Sequence, residues 1–422
     1  MLLGAVADDF TGATDLAVAL RRRGLRTAVA VGSSSLSSGA LGDRTEGLDA
    51  LVVALKSRTA PVAEAVATST AALDALVASG AERLYLKYCS TFDSTDEGNI
   101  GPVLDAFLAR LDVDRTVVVP SFPAAGRTVE GGLLSVHGEL LEESPMRHHP
   151  LTPMTRSRVR DILAPQTRSV VSEVLLPVVR AGAIALRDAV DAAPAGLVVV
   201  DAVDDADLRT IAAATGHLRL LSGAAGLAVG FGGQPDATVA DATGPDDAFP
   251  TSGRRLVVCG SASSATRAQV AHAAERNRVW RVDVAAALAD PAAEVATLAA
   301  WCRAQPDHVV PVVYSVGTLA DVVPAAEGGA RAAAAVEAVL AGLVAELVGD
   351  GSVGRVVVAG GETSGAVVTE LGVDLLRIGP EVATGVCWST ATTAGGREVA
   401  LVLKSGNFGG PDFFSTAWEA RA

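Results

Sequence analysis

The sequence predicts two α/β domains, each a mainly parallel sheet flanked by helices. Short apolar runs alternate with helix-length stretches along all 422 residues. Hydrophobic residues make up 50% of the chain, mostly Ala, Val and Leu, enough for two cores rather than one. A polar run rich in Gly, Pro and Asp, from Gly232 to Gly253, interrupts the alternation, which then restarts. The expected division is therefore 1–233, a linker at 234–253, and 254–422.

In the first half, strands are expected at Leu2–Ala7, Thr27–Val31, Ala50–Leu55, Arg83–Tyr88, Thr116–Val119 and Leu197–Asp201. Helices are expected at Thr14–Arg23, with Gly24 as its stop, and at Ala60–Ser79, Ile100–Leu111 and Asp205–Ala214. In the second half the order is strand Arg255–Cys259, helix Thr266–Glu275, strand Val279–Val284, helix Pro291–Arg303, strand Val309–Ser315, helix Ala330–Val348, and strands Arg355–Ala359 and Glu398–Leu403. Short apolar runs bounded by turn residues read as buried parallel strands.

Composition excludes several classes. A net charge of −14 disfavours nucleic acid and anionic membranes as partners, and 4% aromatics disfavours base stacking. No apolar run was expected to span a membrane, and the N-terminus reads as a buried strand rather than a signal peptide. Four cysteines (Cys89, Cys259, Cys302, Cys387) stand at no metal or disulfide spacing, which points to the reducing cytoplasm. A homodimer is compatible with the sequence.

Charged and glycine-rich loops follow the strands. Asp8 and Asp9 end the first strand, ahead of Thr11-Gly12 and Asp15. Adjacent carboxylates need a neutralising cation, either Mg²⁺ or a basic side chain. Such a carboxylate could accept a hydroxyl proton, or could cap the next helix. Only three lysines occur among 34 basic residues: Lys56, Lys87 and Lys404. All three fall at strand ends, where an ammonium suits a phosphate or carboxylate. Lys56-Ser57-Arg58-Thr59, the run from Lys87 through Ser90 and Thr91, and Arg127 after Gly126 add cations and hydroxyls to such ends. His148 and His149 lie in a Pro-rich loop suited to substrate contact or to loop structure.

In the second half, Gly260-Ser261-Ala262-Ser263, Gly360-Gly361-Glu362-Thr363-Ser364-Gly365 and Lys404-Ser405-Gly406 each follow a strand. Three such loops can close backbone N–H groups around phosphate, although a Gly-Ser turn is also an ordinary helix cap. No P-loop motif is present, and no Gly-x-Gly-x-x-Gly follows the first strand.

The segments 7–15, 56–59, 87–103, 123–128, 149–154, 222–227, 260–263, 360–365 and 404–410, in order along nearly the whole chain, resemble the four-carbon acid sugar kinases. Cys89–Thr95, Gly98–Gly101 and His149–Met154 resemble the 3-oxo-tetronate branch. Thr384–Ser389 departs from that branch, which carries a Pro-rich turn there. The resemblance implies an N-terminal acid-binding domain, a C-terminal nucleotide-binding domain, and a reaction in the cleft between them. It implies transfer of the γ-phosphate of ATP, with Mg²⁺, to the C4 hydroxyl of a 3-oxo-tetronate; D-threonate and D-erythronate are the alternative acceptors. Asp8, Asp9, Arg58, Lys87, Ser90, Thr91 and Arg127 are implied for the acid. Ser261, Gly361, Glu362, Thr363, Ser364, Gly365, Ala366 and Gly406 are implied for ATP. Asp8 or Asp9 would be the base, and Lys404 would stabilise the transferring phosphoryl group. A sensor that binds the same ligands without chemistry is the competing reading; a nicotinamide-dependent dehydrogenase is disfavoured by the missing fingerprint.

Overall fold

The computed structural model describes residues 2–32, 45–148, 152–232, 253–323, 328–383 and 385–418. The chain forms two compact units, Met1–Ala242 and Thr243–Ala422.

Unit 1 contains β1 (Leu3–Ala7), β2 (Thr27–Val31), β3 (Ala50–Ala54), β4 (Arg83–Lys87), β5 (Arg115–Val119), β6 (Arg127–Glu130), β7 (Leu133–Val136), β8 (Glu139–Leu140), β9 (Val170–Val174), β10 (Gly196–Val200) and β11 (Leu220–Gly223). Eight of these build one parallel sheet in the order β2-β3-β1-β4-β11-β5-β10-β9; β6-β7-β8 form a separate antiparallel sheet. β1 is buried along its whole length, as an apolar central strand must be. It lies between β3 and β4, with Ala7 paired to both Ala54 and Lys87. The chain thus leaves β1 toward one side for β2 and β3 and reaches β4 on the other. That reversal opens a crevice at the carboxyl ends of the strands, the usual ligand position in such sheets.

Unit 2 contains β12 (Arg255–Cys259), β13 (Arg278–Arg281), β14 (Pro311–Tyr314), β15 (Arg355–Ala359), β16 (Leu375–Ala383), β17 (Val386–Thr392) and β18 (Glu398–Lys404). Their order is β13-β14-β12-β15-β18-β17-β16, with the first five parallel and β16 and β17 antiparallel. Cys259, Ala359 and Lys404 stand in one register row across β12, β15 and β18. The three glycine-containing loops therefore leave from the same edge.

Some expectations need correction. The first helix begins at Phe10, not Thr14, because the Asp9 side chain caps it through the Gly12 N–H at 2.7 Å. The strand expected to run to Val284 stops at Arg281, because Asp283 caps a short helix, Val284–Ala289. The helix Gly329–Gly349 is long and apolar enough to cross a membrane by length and composition, which corrects the expectation that no apolar run reaches that length. Its apolar face, including Val339, Leu340, Leu343 and Leu347, is buried in unit 2, and Arg303 pairs with its Glu346 at 2.8 Å. His149 and Thr384 fall outside the described residues.

Candidate active site

In unit 1 the groups converge on the end of β1. Asp8 has its backbone fixed from both sides: its N–H donates to the Lys87 carbonyl at 3.0 Å, and its carbonyl accepts from Ser57 and Arg58. That arrangement turns the Arg58 guanidinium back over the two carboxylates. Arg58 grips Asp8 with two parallel bonds of 2.9 Å, and its remaining nitrogen reaches Asp9 Oδ2 at 3.0 Å. A basic side chain thus neutralises the pair. Burial works against the charge on Arg58, but the two aspartates outweigh it and hold its pKa well above the ordinary value. Burial also raises the Asp8 carboxyl above its usual range, against the pull of Arg58.

The loop carrying Arg58 is itself held. Asn99 Nδ2 donates to the carbonyls of Ser57, Arg58 and Ala60 at 2.7, 3.2 and 2.8 Å. Asn99 lies in the Gly98–Gly101 segment that carries the resemblance, where it has no role of its own; its place directly before the expected helix at Ile100 was the available signal. Lys87 ends β4 with its side chain almost wholly buried, and Nζ donates to the Tyr88 carbonyl at 2.8 Å. It lies against Gly12, where an added Cβ would stand 2.8 Å from Nζ and 2.4 Å from Asp9 Oδ1. Asp15, one turn further along that helix, is raised by burial to about 7, with Lys87, Asp9, Arg58 and Arg127 as its charged neighbours. Arg127 donates to the Ala125 carbonyl, while its Nε is buried without a partner. Thr91 is buried and donates to Asp93; Ser90 is half-buried. Phe92, directly after Thr91, has φ of +52°, a strained backbone for an aromatic residue, held by full burial and an edge contact with Tyr88. Lys56 is exposed, unlike Lys87 and Lys404.

In unit 2 the loops after β12, β15 and β18 interlock. The Gly406 carbonyl accepts from Ser263 Oγ at 2.7 Å and Thr266 Oγ1 at 2.8 Å. A Cβ on Gly406 would meet Ser261 Oγ at 2.0 Å, and one on Gly260 would meet Thr363 Oγ1 at 2.0 Å. Gln269 spans the carbonyls of Phe408, Gly409 and Gly410 at 2.9–3.1 Å. Ser263 is the cap of the helix Ser264–Ala274, and Thr266 and Gln269 follow it at steps of three residues, so each turns toward the third loop. Gly360, at φ +130°, opens the helix Gly361–Glu370 without a side-chain cap. Gly361 and Glu362 of its first turn are exposed, Ala366 is half-buried, and Thr363, Ser364 and Gly365 are buried. Lys404 Nζ donates to the Ser405 carbonyl at 3.0 Å, and burial lowers it to about 8.

Among the described residues, no group of three or more His, Cys, Asp or Glu side chains gathers to hold a metal ion.

These two sites belong to a recognisable class. Residues 3–231 match the family model of a sugar-binding N-terminal domain, and residues 256–414 that of a nucleotide-binding C-terminal domain. The 3-oxo-tetronate kinase of Cupriavidus necator is 45% identical over 99% of this chain and 96% of its own length. That of Pseudomonas fluorescens is 44% identical over 99% and 96%. A solved Salmonella typhimurium protein, described as a tRNA synthase, superposes with a TM-score of 0.88 at 38% identity, covering 98% of both chains. A Haemophilus influenzae protein superposes at 0.78 with 37% identity, again covering 98% of both. The chain belongs to the 3-oxo-tetronate kinase family, a group of carbohydrate-acid phosphotransferases.

Proposed function

We propose that this protein transfers the γ-phosphate of ATP to the C4 hydroxyl of a 3-oxo-tetronate, giving the 4-phosphate. The observation that carries the reading is the cluster at the β1 switch point: Asp8 and Asp9 clamped by Arg58, with Lys87 against Gly12. A four-carbon acid presents a carboxylate at one end and a hydroxyl at the other. Lys87, Arg127 and the hydroxyls of Ser90 and Thr91 suit the carboxylate and the keto oxygen. The carboxylates of the segment that leaves β1 suit the hydroxyl end. On this reading 1–233 binds the acid, 254–422 binds ATP, and 234–253 joins them.

ATP is assigned to Ser261, the first turns of the helix from Gly361 to Ala366, and Gly406. An uncapped helix start beside two loops held back to glycine leaves N–H groups for phosphate. Lys404, a buried ammonium at the root of the third loop, supplies positive charge for the transferring group. Mg²⁺ is assigned to the phosphates of bound ATP, since Arg58 already occupies the carboxylate pair. Four cysteines, none of them in a disulfide, fit a reducing compartment, and we place the protein in the cytoplasm. A net charge of −14 repels a polyanion, so a tRNA is a poor ligand for this chain.

ADP release on mixing the protein with ATP and a 3-oxo-tetronate tests the reading. No release above the ATP-only background would overturn it.

A further inference from the structure

A carboxylate held by a guanidinium is made less basic by it, so a carboxylate without such a partner is the better acceptor for a hydroxyl proton. Three carboxylates stand on the segment that leaves β1. Both oxygens of Asp8 are taken by the Arg58 fork. One oxygen of Asp9 caps the helix at Gly12, and the other binds Arg58. Asp15 has no hydrogen bond or ion pair among the described residues, yet it retains some surface. It stands at i+3 from Gly12, on the side of the helix where the Lys87 ammonium lies.

We propose that Asp15 is the proton acceptor of the reaction, with Asp8 and Asp9 serving as the Arg58 clamp that shapes the acid site. The inference rests on the kinase reading above. The acceptor O–H bond breaks and its proton moves to an Asp15 oxygen. The hydroxyl oxygen bonds to the γ-phosphorus, and the bond from that phosphorus to the β–γ bridging oxygen breaks, its electron pair leaving on ADP.

The charged surroundings suit this role. Lys87 on β4, Arg58 on the loop after β3 and Arg127 at the start of β6 favour the charged form of Asp15 through their own charge, and Asp9, the cap of its helix, opposes it. The turn Ala225–Gly230, packed on the same helix, carries no titratable side chain. Burial holds the Asp15 carboxyl near 7, so it is basic enough to take a proton and ionised often enough to do so at neutral pH.

The test is kcat and kcat/KM against pH for wild type, Asp15→Asn and Asp15→Glu, with ATP and a 3-oxo-tetronate. Wild type is expected to show a rising limb near pH 7. Asp15→Asn should lose about 100-fold or more in kcat, keep its KM for ATP within about twofold, and lose the limb. Asp15→Glu should keep the limb at a reduced rate. Asp15→Asn turnover within about tenfold of wild type, or a loss that leaves the limb in place, overturns the assignment alone. Absence of turnover by the wild type overturns the kinase reading and the assignment with it. If Asp15→Asn does not fold, the wild-type profile decides: a limb between about pH 6 and 8 supports the assignment, and its absence overturns it.

Discussion

Arg58 makes three bonds to two adjacent carboxylates, so its removal leaves two like charges side by side in a partly buried site. Arg58→Ala should destabilise unit 1 by on the order of 3 kcal/mol and abolish turnover, read by denaturant melts and ADP release. Arg58→Lys restores the charge without the fork and should recover stability more than rate. Asp15 behaves in the opposite way. Its folded-state pKa is raised from 3.8 to about 7, so its favourable neutral form is fully present below the unfolded value and is lost as pH rises toward 7. At pH 8 the ionised group carries its whole desolvation cost. Asp15→Asn should therefore raise the melting temperature at pH 8, by on the order of 2–3 kcal/mol of stability, with the gain vanishing toward pH 4. A catalytic group that costs stability is a familiar trade.

At the scale of elements, the nucleotide loops depend on backbone closeness more than on any side chain. Gly406→Ala would drive a methyl to 2.0 Å from Ser261 Oγ, and the loop must shift to accept it. The KM for ATP should rise about tenfold or more while the KM for the acid stays unchanged, a change of one binding step and not the other. Much of this layer was legible in the sequence. Thr27–Val31, Arg255–Cys259 and Arg355–Ala359 are apolar runs closed by turn residues, and Ile100–Leu111 carries a clear apolar face; all four lie where the pattern puts them. The β6–β7 hairpin was not read, although Gly131-Gly132, both at positive φ, is the two-residue turn that such hairpins use. The first helix begins four residues earlier than expected because the sequence leaves the Asp8-Asp9 carboxylates as either base or cap, and only the three-dimensional bond from Gly12 to Asp9 decides. The loops of the site were visible as Asp, Lys and Gly at strand ends. Their pairing was not, because Arg58 meets Asp8 across 50 residues through strand order, which no local pattern encodes.

For the molecule as a whole, charge and family point the same way. An acidic chain whose relatives are named 3-oxo-tetronate kinases should bind a small anion in a local cationic site and not a polyanion over its surface. Filter binding with bulk tRNA at low salt should therefore retain none; saturable retention would revive the synthase description. What the fold leaves to chemistry is the choice among four-carbon acids, which turns on a ketone or a hydroxyl at C3. A site built around a carbonyl leaves polar groups unpaired when the ketone is replaced, and discriminates strongly. The most direct measurement is ATP-dependent ADP release by the full chain on a 3-oxo-tetronate, D-threonate and D-erythronate side by side. The prediction is a kcat/KM at least about 100-fold higher for the 3-oxo acid than for either hydroxy acid. Equal rates, a preference for D-threonate or D-erythronate, or no release with any of the three would contradict it.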